Sequence, residues 1–286
     1  MILASASDPS PLHRELAFAE RIAREAGALI AAYVGSGIGV EYKADDEGPV
    51  TRADREANQL IVEAIAREYP DDGLLSEEAP DDGAWLHKER VWMVDPIDGT
   101  RDFILGRSGF AVMIGLIVGE QPGLGVIYQP TKGRLLRAAT GAPPERLDAD
   151  GHCQVMKVSD VHDLTAIRLV ASASHRTEDI DRVRARLRIT DELNVGSVGL
   201  KLGLIAAGER DLYVNPASKS SLWDCAGPEA LLVAAGGRLT DLYGAPLRYR
   251  DANVKNRRGL VASNGHVHDE VIAKLAELFP GGPSRS

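Results

Sequence analysis

The chain is short of several things, and each shortage closes off a class of function. Its 286 residues include two cysteines, Cys153 and Cys225, in no metal or redox spacing. They read as reduced thiols of a cytoplasmic protein rather than as a disulfide frame or a thiolate metal centre. Basic residues are outnumbered, 33 Lys and Arg against 42 Asp and Glu, for a formal net charge of -9. That excludes a broad basic face and with it a nucleic acid polymer as partner. No apolar stretch approaches the roughly 20 residues of a membrane span, and Met1–Ser7 lacks the basic start of a signal peptide, so a soluble cytoplasmic protein is expected. Six of the histidines, His13, His87, His152, His162, His266 and His268, show no metal-ligand spacing and read as surface or loop residues. Trp85 and Trp92 read as packing residues rather than base-stacking ones. There is no internal repeat and no low-complexity segment.

What is present fits one large domain or two medium ones sharing a core. Leu16, Ala19, Ala23, Ala26, Ile30 and Tyr33 recur at helical spacing, predicting a helix over Leu12–Tyr33. A second helix is predicted over Thr51–Tyr69, with Thr51 as N-cap and Asp54 in capping-box register. Val91–Val94, Ala111–Val118, Leu124–Tyr128 and Leu135–Ala139 read as strands of an antiparallel meander. Thr140–Gly151, with Gly, two Pro and three acids, is the expected boundary between an N-terminal α+β domain (1–150) and a C-terminal α/β domain (151–286). Beyond it strands alternate with helices: strands at Ile167–Ala171, Asp211–Val214, Arg238–Leu242 and Gly259–Ala262, helices at Asp179–Leu187, Val198–Ala207, Ala226–Ala235 and His268–Leu278.

The strongest local feature is Val94-Asp95-Pro96-Ile97-Asp98-Gly99-Thr100. An apolar strand ends in a carboxylate, and Pro96 holds Asp95 extended because it disfavours helical geometry in the residue before it. Gly99 permits a tight turn, so Asp95 and Asp98 can aim at one point with the Ile97 carbonyl between them. Two carboxylates at one point repel unless a cation joins them or one is protonated, and hard oxygen ligands select Mg²⁺ over Zn²⁺. A turn starting at Gly99-Thr100 presents N–H groups where a phosphate sits well. Taken alone, the hexapeptide is also compatible with an ordinary Asp-Pro turn. Ser76-Glu77-Glu78 alone reads as a solvated acidic loop, Asp224 of Trp223-Asp224 as an N-cap, and Asp54 as a capping-box acid.

Together, Asp54, Glu77-Glu78, Asp95 to Thr100, and Trp223-Asp224 with its spacer to Gly236-Gly237 resemble the signature of the lithium-sensitive, Mg²⁺-dependent phosphatases. This superfamily includes inositol monophosphatases, bisphosphate nucleotidases and fructose-1,6-bisphosphatases. The resemblance spans Lys43 to Gly237 and implies an α/β (α+β) fold, a five-layer αβαβα sandwich. It implies two or three Mg²⁺ per site, held by Glu77, Asp95, the Ile97 carbonyl, Asp98 and Asp224, with Asp54 and Thr100 as the catalytic pair that deprotonates the attacking water. Glu78 matches the second Glu of the pair, usually not a direct ligand.

Other segments bear on the ester. Asp98-Gly99-Thr100-Arg101-Asp102-Phe103 resembles the Asp-Gly-Thr-Lys/Arg-Glu-Phe of bisphosphate nucleotidases, with Asp102 where that branch has Glu. Ser172-Ala173-Ser174-His175 resembles its Ser-x-Ser-His segment, and Gly196-Ser197-Val198-Gly199-Leu200-Lys201 its site for the phosphate that is not cleaved. The resemblance thus implies substrate contacts from Glu77, Ile97, Asp98, Gly99, Thr100, Ser172, His175, Ser197, Lys201 and Asp224. Each marker also has a plainer reading, a polar strand-end turn for Ser172 and His175 and a solvated lysine for Lys201. The leading expectation is a 3'(2'),5'-bisphosphate nucleotidase taking a small phosphorylated molecule, as monomer or homodimer, with a role in sulfur metabolism and sensitivity to Li⁺. The alternatives are an inositol or sugar (bis)phosphatase on the same fold and a non-catalytic phosphonucleotide-binding protein.

Overall fold

The structure is a computed structural model that describes residues 11–34, 39–42, 48–173, 177–217 and 220–280. The predicted first helix is α1 (His13–Tyr33), which buries Phe18, Ala19, Ile22, Ala23, Ala26 and Ile30. A short hairpin follows, β1 (Val40–Tyr42) and β2 (Pro49–Thr51). Thr51 then starts α2 (Arg52–Glu68) with the predicted capping box, each of Thr51 and Asp54 bonding the other's backbone N–H.

Next come β3 (Gly73–Ser76), β4 (Arg90–Asp98), the short helix α3 (Thr100–Ile104), β5 (Ala111–Val118), β6 (Gln121–Gln129), β7 (Arg134–Ala139), β8 (Glu145–Leu147) and β9 (Cys153–Val155). The strands form a seven-stranded sheet in chain order. The pairing of β3 with β4 is parallel; β4 to β7 form the expected antiparallel meander, which β8 and the unexpected β9 extend. Two differences from the sequence expectation matter. β4 runs four residues past Val94, its register with β5 breaking between Asp95 and Asp98; a proline cannot donate to the ladder and is accommodated at such irregularities. And Thr140–Gly151, the expected domain boundary, contributes β8, whose Glu145, Arg146 and Leu147 pair with β7.

The second sheet, of five strands, comprises β10 (Arg168–Ser172), β11 (Asp191–Val195), β12 (Leu212–Asn215), β13 (Arg238–Thr240) and β14 (Leu260–Ser263), in the order β11-β10-β12-β14-β13. β11 was not expected: Asp191-Glu192-Leu193-Asn194-Val195 is polar, which an edge strand tolerates. The helices are α4 (Glu178–Leu187), α5 (Val198–Ala206), α6 (Trp223–Ala234) and α7 (His268–Ala276). α6 begins at Trp223, three residues before its predicted start.

Alternation along the strands builds five layers, αβαβα. On β5, Val112, Ile114 and Leu116 face α1 and α2, while Ala111, Met113 and Ile117 join a central core with α5, α6 and the inner face of the second sheet. On β14, Leu260 and Ala262 face that central core and Val261 faces outward to α4 and α7. This period of two is the strand signature with both faces buried. One surface expectation fails. His268 is fully buried, its ring nitrogens 2.8 Å from Ser263 Oγ and 2.9 Å from Thr240 Oγ1. The reading missed it because a histidine that opens a helix pattern looks like any first-turn polar residue. Among the described residues, no helix is long and apolar enough to cross a membrane.

Candidate active site

The site forms where the bulged end of β4 meets the end of β3, the start of α6 and the carboxyl ends of β10 and β11. β3 delivers Glu77: its N–H donates to the Val94 carbonyl at 3.1 Å, setting the glutamate beside Asp95. Asp95 is buried and turns one carboxylate oxygen back onto the Ile97 N–H at 3.0 Å. Gly99 then takes φ +95°, a conformation that favours glycine, and reverses the chain into α3.

Asp98 is held from across the layer by the start of α5. Its Oδ2 accepts from Ser197 Oγ at 2.5 Å and from the Gly199 N–H at 2.9 Å. Ser197 also caps α5, accepting from the Leu200 N–H at 3.0 Å. Lys201 is buried behind it, with Nζ 2.6 Å from the Gly196 carbonyl oxygen, 3.3 Å from that of Val195 and 5.2 Å from the centre of the Tyr213 ring. Ser197 is 0% and Lys201 1% exposed, so both polar atoms serve Asp98 and the backbone rather than an open anion pocket. Ser172 ends β10, paired with Val195 across to β11, beside Gly196-Ser197. His175 lies outside the described residues.

Asp224 sits in the first turn of α6, not at its cap, and accepts from the Ser221 N–H at 2.7 Å. What places α6 is a close approach of backbones. A Cβ on Gly125 would lie 2.0 Å from the Gly227 carbonyl oxygen, and one on Gly115 2.5 Å from the Gly227 nitrogen. Two glycines in adjacent strands let the helix lie directly on the sheet. Lys255, which the sequence reading missed, pairs with Ser221 in an isolated bridge and sets its Nζ 5.7 Å from the Trp223 ring. No local pattern marks such a loop lysine.

Asp54 does two jobs at once. Oδ2 takes the Thr51 N–H at 2.7 Å to close the capping box, while Oδ1 faces Thr100 Oγ1 at 3.3 Å; that hydroxyl lies 3.0 Å from the Ile97 carbonyl oxygen. Asp54 therefore closes the capping box and at the same time faces Thr100.

The electrostatics say what the cluster wants. Burial, then Glu77, Asp98 and Asp224, push the Asp95 carboxyl well above its usual range. Burial, then Asp98 and Glu77, do the same to Asp224, with Lys255 opposing. Asp98 is raised by burial and held back by Lys201, Ser197 and Gly199. Burial lowers Lys201 to about 8, against the pull of Asp98 and Asp224, and raises Asp54 to about 6 against its bonds to Thr51. Carboxylates that raise one another's proton affinity, with two lysines facing them, are short of positive charge. A divalent cation with a taste for oxygen ligands supplies it. Glu77, Asp95, Asp98, Asp224 and the Ile97 carbonyl fit that demand in number and type.

Comparison with known proteins places the arrangement in context. Residues 12–278 match the profile of the inositol monophosphatase family. A Salmonella typhimurium protein named 3'(2'),5'-bisphosphate nucleotidase CysQ is 35% identical over 233 residues, covering 80% of this chain and 91% of its own. A Thermotoga maritima fructose-1,6-bisphosphatase/inositol-1-monophosphatase is 28% identical over 268 residues, covering 92% and 96%. Among solved structures, a Thermotoga maritima IMPase superposes with a TM-score of 0.79 at 26% identity, covering 93% of this chain and 98% of that one.

Proposed function

The chain belongs to the inositol monophosphatase family of phosphatases, and we propose that within it the enzyme is a Mg²⁺-dependent 3'(2'),5'-bisphosphate nucleotidase that hydrolyses the 3'-phosphate of adenosine 3',5'-bisphosphate to leave AMP. The observation that carries the reaction class is the buried acid cluster with Asp54 and Thr100 beside it. For the substrate, the nucleotidase relative at 35% identity supports the reading, as do the Asp98-to-Phe103 and Ser172-to-His175 segments.

Glu77, Asp95, Asp98, Asp224 and the Ile97 carbonyl would hold the metal. Bound there, Mg²⁺ lowers the pKa of water and neutralises charge on the phosphoryl group and leaving oxygen. The protein's own part is proton handling and orientation. The Thr100 hydroxyl has one proton and two acceptors, Asp54 Oδ1 and the Ile97 carbonyl. Turned to Asp54, it points its lone pairs outward, where a water can donate. As the water attacks phosphorus, its proton passes to Thr100 Oγ1 and the threonine's own proton to Asp54. Across the reaction, the water's hydroxyl goes to phosphorus and a proton ends on the departing ester oxygen. A carboxylate raised to about 6 is a better base near neutrality than an ordinary aspartate. Ser197 and Gly199 hold Asp98 in place and Lys201 offsets its charge, so their contribution to the substrate is indirect. The uncleaved phosphate then falls to Ser172 and His175, with the amides of Gly99 and Thr100 assigned to the cleaved one.

The second reading, an inositol or sugar (bis)phosphatase, is favoured by the Thermotoga relative and the fold match. Phosphate release with Mg²⁺ from adenosine 3',5'-bisphosphate, inositol 1-phosphate and fructose 1,6-bisphosphate at matched concentrations decides between them. The nucleotide should be turned over at least tenfold faster. Preference for the inositol or sugar ester would overturn the nucleotidase assignment and leave the phosphatase intact.

A further inference from the structure

Far from the acid cluster, the fold brings together three residues that the sequence keeps apart. Asp160 and His162 lie on the segment leading into β10, and His266 lies in the turn between β14 and α7. His162 Nε2 is 3.2 Å and His266 Nε2 3.7 Å from Asp160 Oδ1. The two imidazole rings lie 4.1 Å apart, centre to centre, at 35°. One donor atom from each of the three residues lies within 4.8 Å of the others. We propose that Asp160, His162 and His266 form a second metal site, for a nitrogen-binding transition ion such as Zn²⁺.

The donor set and its spacing argue for this. Two imidazoles and a carboxylate suit Zn²⁺, Ni²⁺ or Cu²⁺ and not Mg²⁺, which prefers an all-oxygen shell. At zinc–ligand lengths of about 2.0–2.1 Å, donors in a tetrahedral shell are about 3.3 Å apart, and the two Asp160 separations bracket that value. Small side-chain rotations complete the set, and the exposure of all three residues leaves the remaining position to water.

The two backbone segments are also fixed relative to each other. Asn264 donates through Nδ2 to the Val161 carbonyl at 2.8 Å and to Ser159 Oγ at 3.1 Å. Ser159 Oγ donates to Asp211 at 2.5 Å, and Arg168 clasps the same carboxylate at 2.8 Å. The Asn264 N–H donates to the Asp211 carbonyl at 3.0 Å. Residues on both sides of Asp160, and the residue two before His266, are thus tied to one buried hub, so the ligands stand on a preorganised base. Asp211 and Arg168 mark the amino ends of the parallel strands β12 and β10, whereas Ser172 and Ser197 mark the phosphatase side at the carboxyl ends. The five residues of β10 put about 13 Å between Arg168 and Ser172. This ion is therefore separate from the catalytic metal, and its place suggests a clamp between the β10 lead-in and the start of α7.

The test uses the full chain with Mg²⁺ in large excess to fill the acid cluster. Calorimetric titration with ZnCl₂ should show one tight equivalent, weakened at least tenfold by His162→Ala and by His266→Ala, with phosphatase activity at saturating Mg²⁺ unchanged. Cu²⁺ bound in place of Zn²⁺ should show electron-spin coupling to two imidazole nitrogens, one being lost in each variant. Equal zinc affinity in the double variant, or a copper spectrum without nitrogen coupling, would overturn the proposal.

Discussion

The placement of Asp224 depends on glycine rather than on any charged neighbour, and this can be tested at Gly125. An added methyl there would sit 2.0 Å from the Gly227 carbonyl oxygen, 2.8 Å from its carbonyl carbon and 2.9 Å from its Cα. All three are backbone atoms of α6, so no side chain can swing away. Ordinary contact begins at 3.4 Å, so α6 must retreat by roughly 1.4 Å or β6 must bow by as much. Overpacking of that kind costs about 1–3 kcal/mol of stability. The larger effect is on chemistry. α6 carries Asp224 one turn before Gly227, and a misplacement of about 1 Å at a catalytic centre costs about 100-fold in rate. Gly125→Ala should therefore lower the urea midpoint modestly, raise the Mg²⁺ concentration needed for half-maximal phosphate release, and cut kcat about 100-fold. Gly123→Ala on the same strand is the control. Its Cβ would press on the tips of Leu12 and Val118, at 3.1 Å, side chains that can yield, and meet the Leu116 carbonyl oxygen at an ordinary 3.6 Å. If Gly125→Ala keeps wild-type kcat and Mg²⁺ dependence while Gly123→Ala does the same, the close approach does not set the acid, and the argument fails.

Thr100→Val keeps the side-chain shape but deletes the hydroxyl shared by Asp54 and the Ile97 carbonyl. It should cut kcat by at least about 100-fold with little change in KM, and steady-state kinetics with near wild-type kcat would remove Thr100 from the proton path. Stability offers a prediction that does not involve metal. Burial, then Arg238, lowers His268 from its ordinary 6.5 to about 4 in the folded protein. Between those values the unfolded chain binds the extra proton, so the contribution is complete above about 6.5 and is lost as pH falls toward 4, for a total of about 3 kcal/mol. Urea midpoints of the wild type and His268→Gln, compared at pH 7.5 and 4.5, should show a smaller acid loss in the variant. Equal losses would mean that His268 is not the group that must stay neutral.

The signals that were readable from the chain are those that local chemistry imposes. The period-2 runs of β5, β6 and β7 and the helical period of α1 and α2 come from burial of one or both faces, and they appear in any window of the sequence. The bulge at Asp95–Asp98 was half legible: Pro96 and Gly99 announced a turn, yet the strand continues through it because Asp98 still pairs with Ala111. β11 escaped because an edge strand need not be apolar, and α6 was read as starting late because Asp224 looks like a cap, whereas it lies in the first turn. The site shows the same division. Asp95, Asp98 and Thr100 are close in sequence and could be read together, and a resemblance was needed to add Asp54, Glu77 and Asp224. No sequence signal could show that Ser197 and Lys201 turn inward. A serine and a lysine at a helix start look like an anion site from either side, and only the position of Asp98 across the layer decides which way they face. The same blindness hid Asp160, His162 and His266, whose spacing along the chain is meaningless until β14 returns beside β12. Of the two proposed ligand sets, the acid cluster is thus legible only in the part that one turn assembles, and the Asp160, His162 and His266 set only from topology.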